Sequence, residues 1–409
     1  MKKILLIFIT LVLLLCGCTN QNSMPQFIDD NHHNQSNSNQ ETYVKSVWIT
    51  YYEFSSMIGN KSVDDFEKDV KKAFNELIDM GFNTVTVHIR PCADAFYQSK
   101  FYPSSKYCFG QQGATMPYDP FLIMCNVAEQ LNLRIEAWIN PYRVSQDNNI
   151  DALSDTNIAK IWYHDQNKSS NVYISDNSIH FNPASADVTE LIVNGVKEVV
   201  ENYKIDTIHF DDYFYPTTDA QIDALQYQNY IEDSGQLSLD DWRRDNVNKM
   251  VKSVYEAIKS VNKDVLFGIS PSANIENNYY QLYADALLWA KEDGYIDYIC
   301  PQVYYGFKNE TQPFMFTTKR WVSETNKDLY IGLPLYKSNK TDEFASATDS
   351  LAINEFCDND NIISRQINYV RKIKSINGFY IFSYSNLFDE ECKAEVDNML
   401  KIMQSNNQD

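Results

Sequence analysis

Residues 206–216 read Asp-Thr-Ile-His-Phe-Asp-Asp-Tyr-Phe-Tyr-Pro. Ile208 and Phe210 alternate with Thr207, His209 and Asp211, the period of two expected of a β-strand with unlike faces. One face is apolar and suits packing against helices. The other carries a hydroxyl, an imidazole and a carboxylate, and the strand ends on two adjacent acids, Asp211 and Asp212.

The same kind of pattern recurs on both sides of this stretch. Strands are predicted at residues 44–52, 83–90, 133–140 and 206–212, then at 265–271, 298–304, 329–336 and 378–385. Helical periodicity fills the intervals, at 63–80, 120–132, 187–203, 239–261, 280–293, 314–326, 361–375 and 390–404. Eight β–α pairs predict an α/β protein built as a single (β/α)8 TIM barrel over residues 43–405. The surplus length falls at 91–118, 141–185 and 213–238, after the second, third and fourth strands. Those are βα loops, on the face where barrel enzymes place their sites.

Alternation sorts the side chains. Val85, Val87 and Ile89 should face the helices, leaving Thr86, His88 and Arg90 toward the barrel axis. By the same rule Glu136, Trp138 and Asn140 point inward, as do Trp48, Thr50, Tyr52, Ser270, Gln302 and Tyr304. A barrel interior is ordinarily dominated by branched aliphatics. Here several strand ends converge on polar and aromatic groups.

Composition narrows the partners. The chain has 409 residues, with 35 Lys+Arg against 55 Asp+Glu and a formal net charge of −20. A surface so acidic repels phosphate backbones, so no nucleic-acid partner is expected. Hydrophobic residues reach 44%, enough for a full core. The N-terminus joins Lys2 and Lys3 to an apolar run from Ile4 to Leu15, too short to span a bilayer comfortably but suited to a signal-peptide core. Leu15-Cys16-Gly17-Cys18 resembles a lipobox, with Cys18 the lipidated residue; a plain cleaved signal is the alternative. The expectation is a signal peptide over 1–17, a lipid-bearing Cys18 with a polar spacer over 18–42, and an extracytoplasmic protein anchored to the bacterial membrane. Cys92 and Cys108 could lie in one loop and pair, or stay as buried thiols.

The Asp211–Asp212 pair is the candidate for catalysis. Two carboxylates at one strand end repel, and burial raises at least one pKa, which supplies an acid and an anion at the same pH. Glycoside hydrolysis needs that division of labour. Neighbouring side chains leave little room for a water-spaced inverting pair. The options are a second acid such as Glu136, which could instead be a buried partner of Arg90, or attack by the sugar's own 2-acetamido oxygen, with Asp211 polarising that group and Asp212 as acid/base. Arg90 and Arg143 could anchor a carboxylate or form fixed salt bridges. His88 and His209 could bond sugar hydroxyls, or be satisfied barrel histidines. Trp138 and Tyr304 could wall a pyranose, or simply pack. No metal-ligand spacing, P-loop, dinucleotide fingerprint or nucleophile elbow is present, so no metal or cofactor is expected.

The stretches VHIRPCADAFYQS (87–99), EAWINPYRV (136–144), NPASADV (182–188), DTIHFDDYFYP (206–216), DWRRDNVN (241–248), FGISPSA (267–273), CPQVYYGF (300–307) and YIGLPLY (330–336) occur in this order. On these motifs the chain resembles the glycosyl-hydrolase-like family 10 proteins, exported bacterial barrels, over residues 44–400. The resemblance implies a (β/α)8 barrel and glycoside hydrolase activity; some relatives act on peptidoglycan strands that have lost their stem peptides. It carries Asp211 and Asp212 over as the catalytic pair. Arg90, Asp94, Asn140, Tyr142, Arg143, Ser270, Gln302 and Tyr304 carry over as pocket residues. The expected partner is therefore a polysaccharide, peptide-free peptidoglycan or a related N-acetylated glycan. The alternatives are another exported or dietary polysaccharide, or a non-catalytic glycan-binding lipoprotein.

Overall fold

A computed structural model describes residues 43–59 and 61–404. The expected signal peptide, the lipidation at Cys18 and the whole of the spacer lie outside the described residues. Eight parallel strands close into a barrel. They are β1 (Val44–Ile49), β2 (Thr84–Arg90), β3 (Arg134–Ile139), β4 (Thr207–Phe210), β5 (Leu266–Ile269), β6 (Tyr298–Ile299), β7 (Asp328–Leu333) and β8 (Gly378–Ile381). Each strand pairs with its neighbours in chain order, and β8 closes on β1 through the register Val44 to Gly378. The expected TIM-barrel architecture is the one observed.

The outer helices form for reasons visible in their sequences. Helix Val63–Asp79 buries Phe66, Val70, Phe74 and Leu77, one stripe at helical spacing, and Ser62 caps it by accepting from Asp65 N. Each such aromatic or aliphatic side chain contributes about 1.5–3 kcal/mol on burial. Helices Ala186–Asn202 and Leu239–Val261 start on Ser185 and Ser238 in the same way.

The barrel interior is aromatic where aliphatics are usual. Trp48, Trp138, Tyr298, Tyr330 and Tyr380 cluster there with Val44 and Cys300. Gly268 makes this possible: a Cβ at that position would lie 1.9 Å from the Tyr298 ring. All six cysteines among the described residues are free, so Cys92 and Cys108 are separate buried thiols.

The long loops after β2, β3 and β4 carry their own structure. The second holds a three-stranded antiparallel sheet of Arg143–Ser145, Val172–Ile174 and Ile179–Phe181. The third holds helix Ala224–Glu232 and is pinned to helix Leu239–Val261 by a fully buried ion pair, Arg243 Nη2 to Asp223 Oδ1 at 2.7 Å. Tyr215 Oη donates to the same carboxylate at 3.0 Å.

Two expectations from alternation fail. The first strand stops at Ile49 rather than Tyr52, because Thr50 and Glu53 form a capping box that starts helix Tyr51–Ile58. The second failure is Arg90. The β2–β3 register shifts between His88 and Arg90, a bulge that turns Arg90 to the helix side. Its guanidinium lies 4.3 Å from the Tyr102 ring centroid, against Gly195 of helix Ala186–Asn202, where a Cβ would sit 2.4 Å from Nη1.

Candidate active site

The C-terminal ends of the strands open into a cleft of about 390 Å³. Asp211 and Asp212 follow β4 directly and both line it. Their surroundings differ. Asp211 is 3% exposed, whereas Asp212 is half-buried. Trp138 Nε1 donates to Asp211 Oδ2 at 3.0 Å, and Asn140 Nδ2 reaches the same oxygen at 3.5 Å. Tyr213 N approaches Oδ1 at 3.5 Å. Burial, then the charge of Asp212, pushes the Asp211 pKa up to about 7, against the pull of Arg143 and the Trp138 hydrogen bond. Asp212 is also raised by burial, opposed by Gln302 and Arg143. The pair therefore ionises in steps that belong to both residues.

Other predicted residues meet here. His88 stacks on Trp138 with ring centroids 3.6 Å apart and planes 8° apart. Neither of its ring nitrogens has a partner in the protein. Burial holds its pKa well below the usual value, so the ring is neutral and can either donate or accept. Arg143 is fixed by Nε donating to Pro91 O at 2.9 Å and lies 4.7 Å from the Tyr213 ring centroid. Gln302 donates to Ser270 O at 2.9 Å. Ser270, Gln302 and Tyr304 all line the cleft.

Six predicted residues lie elsewhere. Asn140 is one layer behind: besides reaching Asp211, its Oδ1 accepts from Arg143 N at 3.1 Å. Tyr142 is fully buried outside the cleft lining. His209 and Glu136 form the barrel floor. Trp48 Nε1 lies 3.3 Å from His209 Nε2, and Tyr298 Oη is 2.7 Å from Nδ1. Glu136 accepts from Thr86 at 2.7 Å and Tyr380 at 2.8 Å, so it is a structural acid under the cleft rather than a second catalytic acid within it. Asp94 lines a separate cavity, and Arg90 faces the helices as described above.

The cleft also uses residues outside the predicted set. Tyr51, Gln146, Tyr213, Tyr336 and Phe382 line it. Phe382 was findable, since it continues the inward parity of Tyr380 just past β8. Tyr51 was hidden by reading a helix start as a strand, and Gln146 sits in a long loop without periodicity. Tyr213 is 49% exposed and Tyr52 is 55% exposed, so the cleft has open aromatic surface of the kind that packs against sugar faces.

Solved structures share this barrel. The barrel resembles the PgaB (BpsB) glycoside hydrolase domain from Bordetella bronchiseptica with a TM-score of 0.56 at 10% identity, over 87% of this chain and 98% of that one. It resembles alpha-L-fucosidase isoenzyme 2 from Paenibacillus thiaminolyticus with a TM-score of 0.55 at 13% identity, over 88% of this chain and 49% of that one. At such identities the likeness speaks for the fold alone. In sequence, glycosyl hydrolase YngK of Bacillus subtilis (strain 168) is 34% identical over 331 residues, 74% of this chain and 63% of the relative. Glycosyl hydrolase DigH of Escherichia coli (strain K12) is 30% identical over 285 residues, 63% of each chain. The match thus spans less than two thirds of these relatives' own length. The profile of the glycosyl hydrolase-like 10 family covers residues 43–347, across the barrel strands that carry Trp138, the Asp211–Asp212 pair, Ser270 and Gln302, and the chain belongs to that family.

Proposed function

We propose that this protein hydrolyses the glycosidic bonds of an N-acetylhexosamine glycan, with peptide-free peptidoglycan the leading candidate, and that Asp211 and Asp212 carry the chemistry. The observation behind this reading is the asymmetry of the pair. Asp211 is buried and aimed by the Trp138 N–H, while Asp212 is the more open acid in the cleft.

That asymmetry suits substrate-assisted hydrolysis. Asp211 orients the 2-acetamido group by accepting its N–H. The acetamido oxygen attacks the anomeric carbon as the glycosidic bond breaks, and the bridging oxygen leaves with the proton of Asp212. The resulting five-membered ring is positively charged, and the Asp211 carboxylate lies against it. A buried carboxylate that is costly alone is stabilised most when positive charge appears beside it, which is the transition state. Asp212 then takes a proton from water as that water's oxygen opens the ring at the anomeric carbon, which releases the sugar and returns Asp212 to its acid form, while Asp211 remains a carboxylate throughout. Gln302 is placed to bond hydroxyls, and Trp138, Tyr213 and Tyr304 to wall the ring.

The same proposal places the enzyme outside the cytoplasm, tethered to the membrane by lipidated Cys18. The support is the run from Lys2 to Cys18 and the polar spacer that follows.

The test is incubation of the purified protein with peptide-free peptidoglycan strands, with products followed by mass spectrometry and Asp212→Asn as control. Defined saccharide fragments from the wild type alone are expected. Binding without cleavage by the wild type would replace the hydrolase with a glycan-binding protein. Inertness toward peptidoglycan with turnover of another polysaccharide would replace the substrate.

A further inference from the structure

The β1–β8 ladder that closes the barrel ends at the pair Val47 and Ile381. Beyond it, one stretch starts helix Tyr51–Ile58 and the other carries Phe382 and Ser383. Both line the cleft, through Thr50, Tyr51 and Tyr52 on one side of this seam and Phe382 on the other. Phe382 touches four rings, with centroids 5.9 Å away for Trp48, 6.4 Å for Trp138, 5.9 Å for Tyr304 and 5.8 Å for Tyr336. Trp138, Tyr304 and Tyr336 line the cleft as well, so the place of Phe382 shapes its aromatic wall.

Toward β7 the backbone fixes Phe382. Its N donates to Leu333 O at 3.0 Å, and its O accepts from Tyr336 N at 3.1 Å. Toward β1 the link is a side chain. Glu53 Oε1 accepts from Ser383 Oγ at 2.8 Å and from Ser385 N at 2.5 Å, while Oε2 accepts from Thr50 N at 2.6 Å. The carboxylate thus spans the seam where the ladder has run out. Lys61, which shares an outer groove with Glu53, pairs with Asp69 instead. The groups that face Glu53 here all donate, so the position calls for an acceptor-only side chain. A helix cap alone does not. Gln serves as Glu does at the third position of a capping box, because one oxygen suffices for the N-cap N–H. The second oxygen is what the seam adds.

We propose that Glu53 is a positioning residue for the glycan: by tying the first turn of helix Tyr51–Ile58 to the segment after β8, it holds Phe382 in the cleft wall and keeps the cleft shaped for a sugar ring. The inference rests on the glycan reading above. Glu53 does not line the cleft, and its oxygens are occupied by Thr50, Ser383 and Ser385. It acts on binding through Phe382 and not on the bond that breaks.

The experiment is steady-state hydrolysis of peptide-free peptidoglycan strands by the full-length wild type, Glu53→Gln, Phe382→Leu and the double variant, with a circular dichroism melt of each. Glu53→Gln retains an oxygen for Thr50 N and sets an amide NH2 against the Ser385 N–H, so it keeps the cap and opens the seam. KM should rise roughly ten-fold, the scale of one hydrogen bond to a charged group, with kcat within about two-fold of wild type. In the Phe382→Leu background the same change should move KM by less than about two-fold, because residues acting through one contact do not add. A lower Tm with KM unchanged would make Glu53 a helix cap alone and overturn the proposal. KM increases that multiply in the double variant, or a loss confined to kcat, would overturn it too. Each of those outcomes leaves the glycan reading intact. Absence of cleavage by the wild type overturns the glycan reading and this proposal with it.

Discussion

Trp138 donates its indole N–H to Asp211 Oδ2 over 3.0 Å while its ring lies flat on His88, so one side chain both aims the buried acid and carries the neutral imidazole. The two roles are separable. Trp138→Phe keeps an aromatic surface for His88 and removes the donor. A hydrogen bond to a charged group is worth about 1.5–3 kcal/mol, so turnover should fall roughly 10- to 100-fold. The lost donor favoured the carboxylate, so the Asp211 pKa should rise from about 7 and the acid limb of the pH–rate profile should move to higher pH. An unchanged acid limb, with kcat near wild type, would show that Trp138 only packs.

The raised pKa of Asp211 also has a sign in stability. Its folded value is about 7, above that of an unfolded aspartate near 3.9. Between those values the native state holds more proton than the unfolded state, so this residue's contribution to stability falls as pH rises. The cost is complete above the folded pKa and absent below the unfolded one. Asp211→Asn keeps an acceptor for Trp138 and removes the charge. Its Tm should exceed that of the wild type at pH 8 and converge with it near pH 4, while glycan cleavage is lost. A variant less stable than wild type at pH 8 would mean the carboxylate is better compensated than its burial implies.

Much of this site could be read from alternation along the strands. Period two placed Trp138, Asp211, Ser270 and the neutral histidines on the interior, because a parallel strand in a closed barrel has one face toward the axis and one toward the helices. The same rule misplaced Arg90, since a bulge depends on how two strands pair and leaves no mark in either strand alone. It also could not rank depth. His209 and Asp211 share an inward face, yet one is the floor and the other lines the cleft. Gln146 and Tyr213 escaped because loop positions follow no period.

His209 illustrates how the floor is set. Trp48 Nε1 can only donate, and it reaches His209 Nε2 at 3.3 Å. Nε2 is then the acceptor and Nδ1 carries the proton, donating to Tyr298 Oη at 2.7 Å. Burial pushes the imidazole pKa down to about 3. In ¹⁵N-resolved NMR spectra His209 should stay neutral down to pH 5 with its proton on Nδ1. Protonation near pH 6.5, or a proton on Nε2, would reverse this account of the Trp48–His209–Tyr298 chain.

Two arginines that look equivalent in sequence should part company in experiment. Arg90 is 1% exposed and packed on Tyr102 behind the barrel, whereas Arg143 lines the cleft and lowers the pKa of both Asp211 and Asp212. Arg90→Met retains much of the apolar contact but loses the cation–π attraction, worth about 0.5–2 kcal/mol, so it should lower Tm and leave kcat/KM close to wild type. Arg143→Met takes positive charge away from the acid pair. The carboxylates then become harder to ionise, so the pH optimum should move upward and kcat/KM should fall at neutral pH. Circular dichroism melts alongside pH–rate profiles separate the two effects. A catalytic loss from Arg90→Met without a change in Tm would return that residue to the cleft and contradict the bulge after His88.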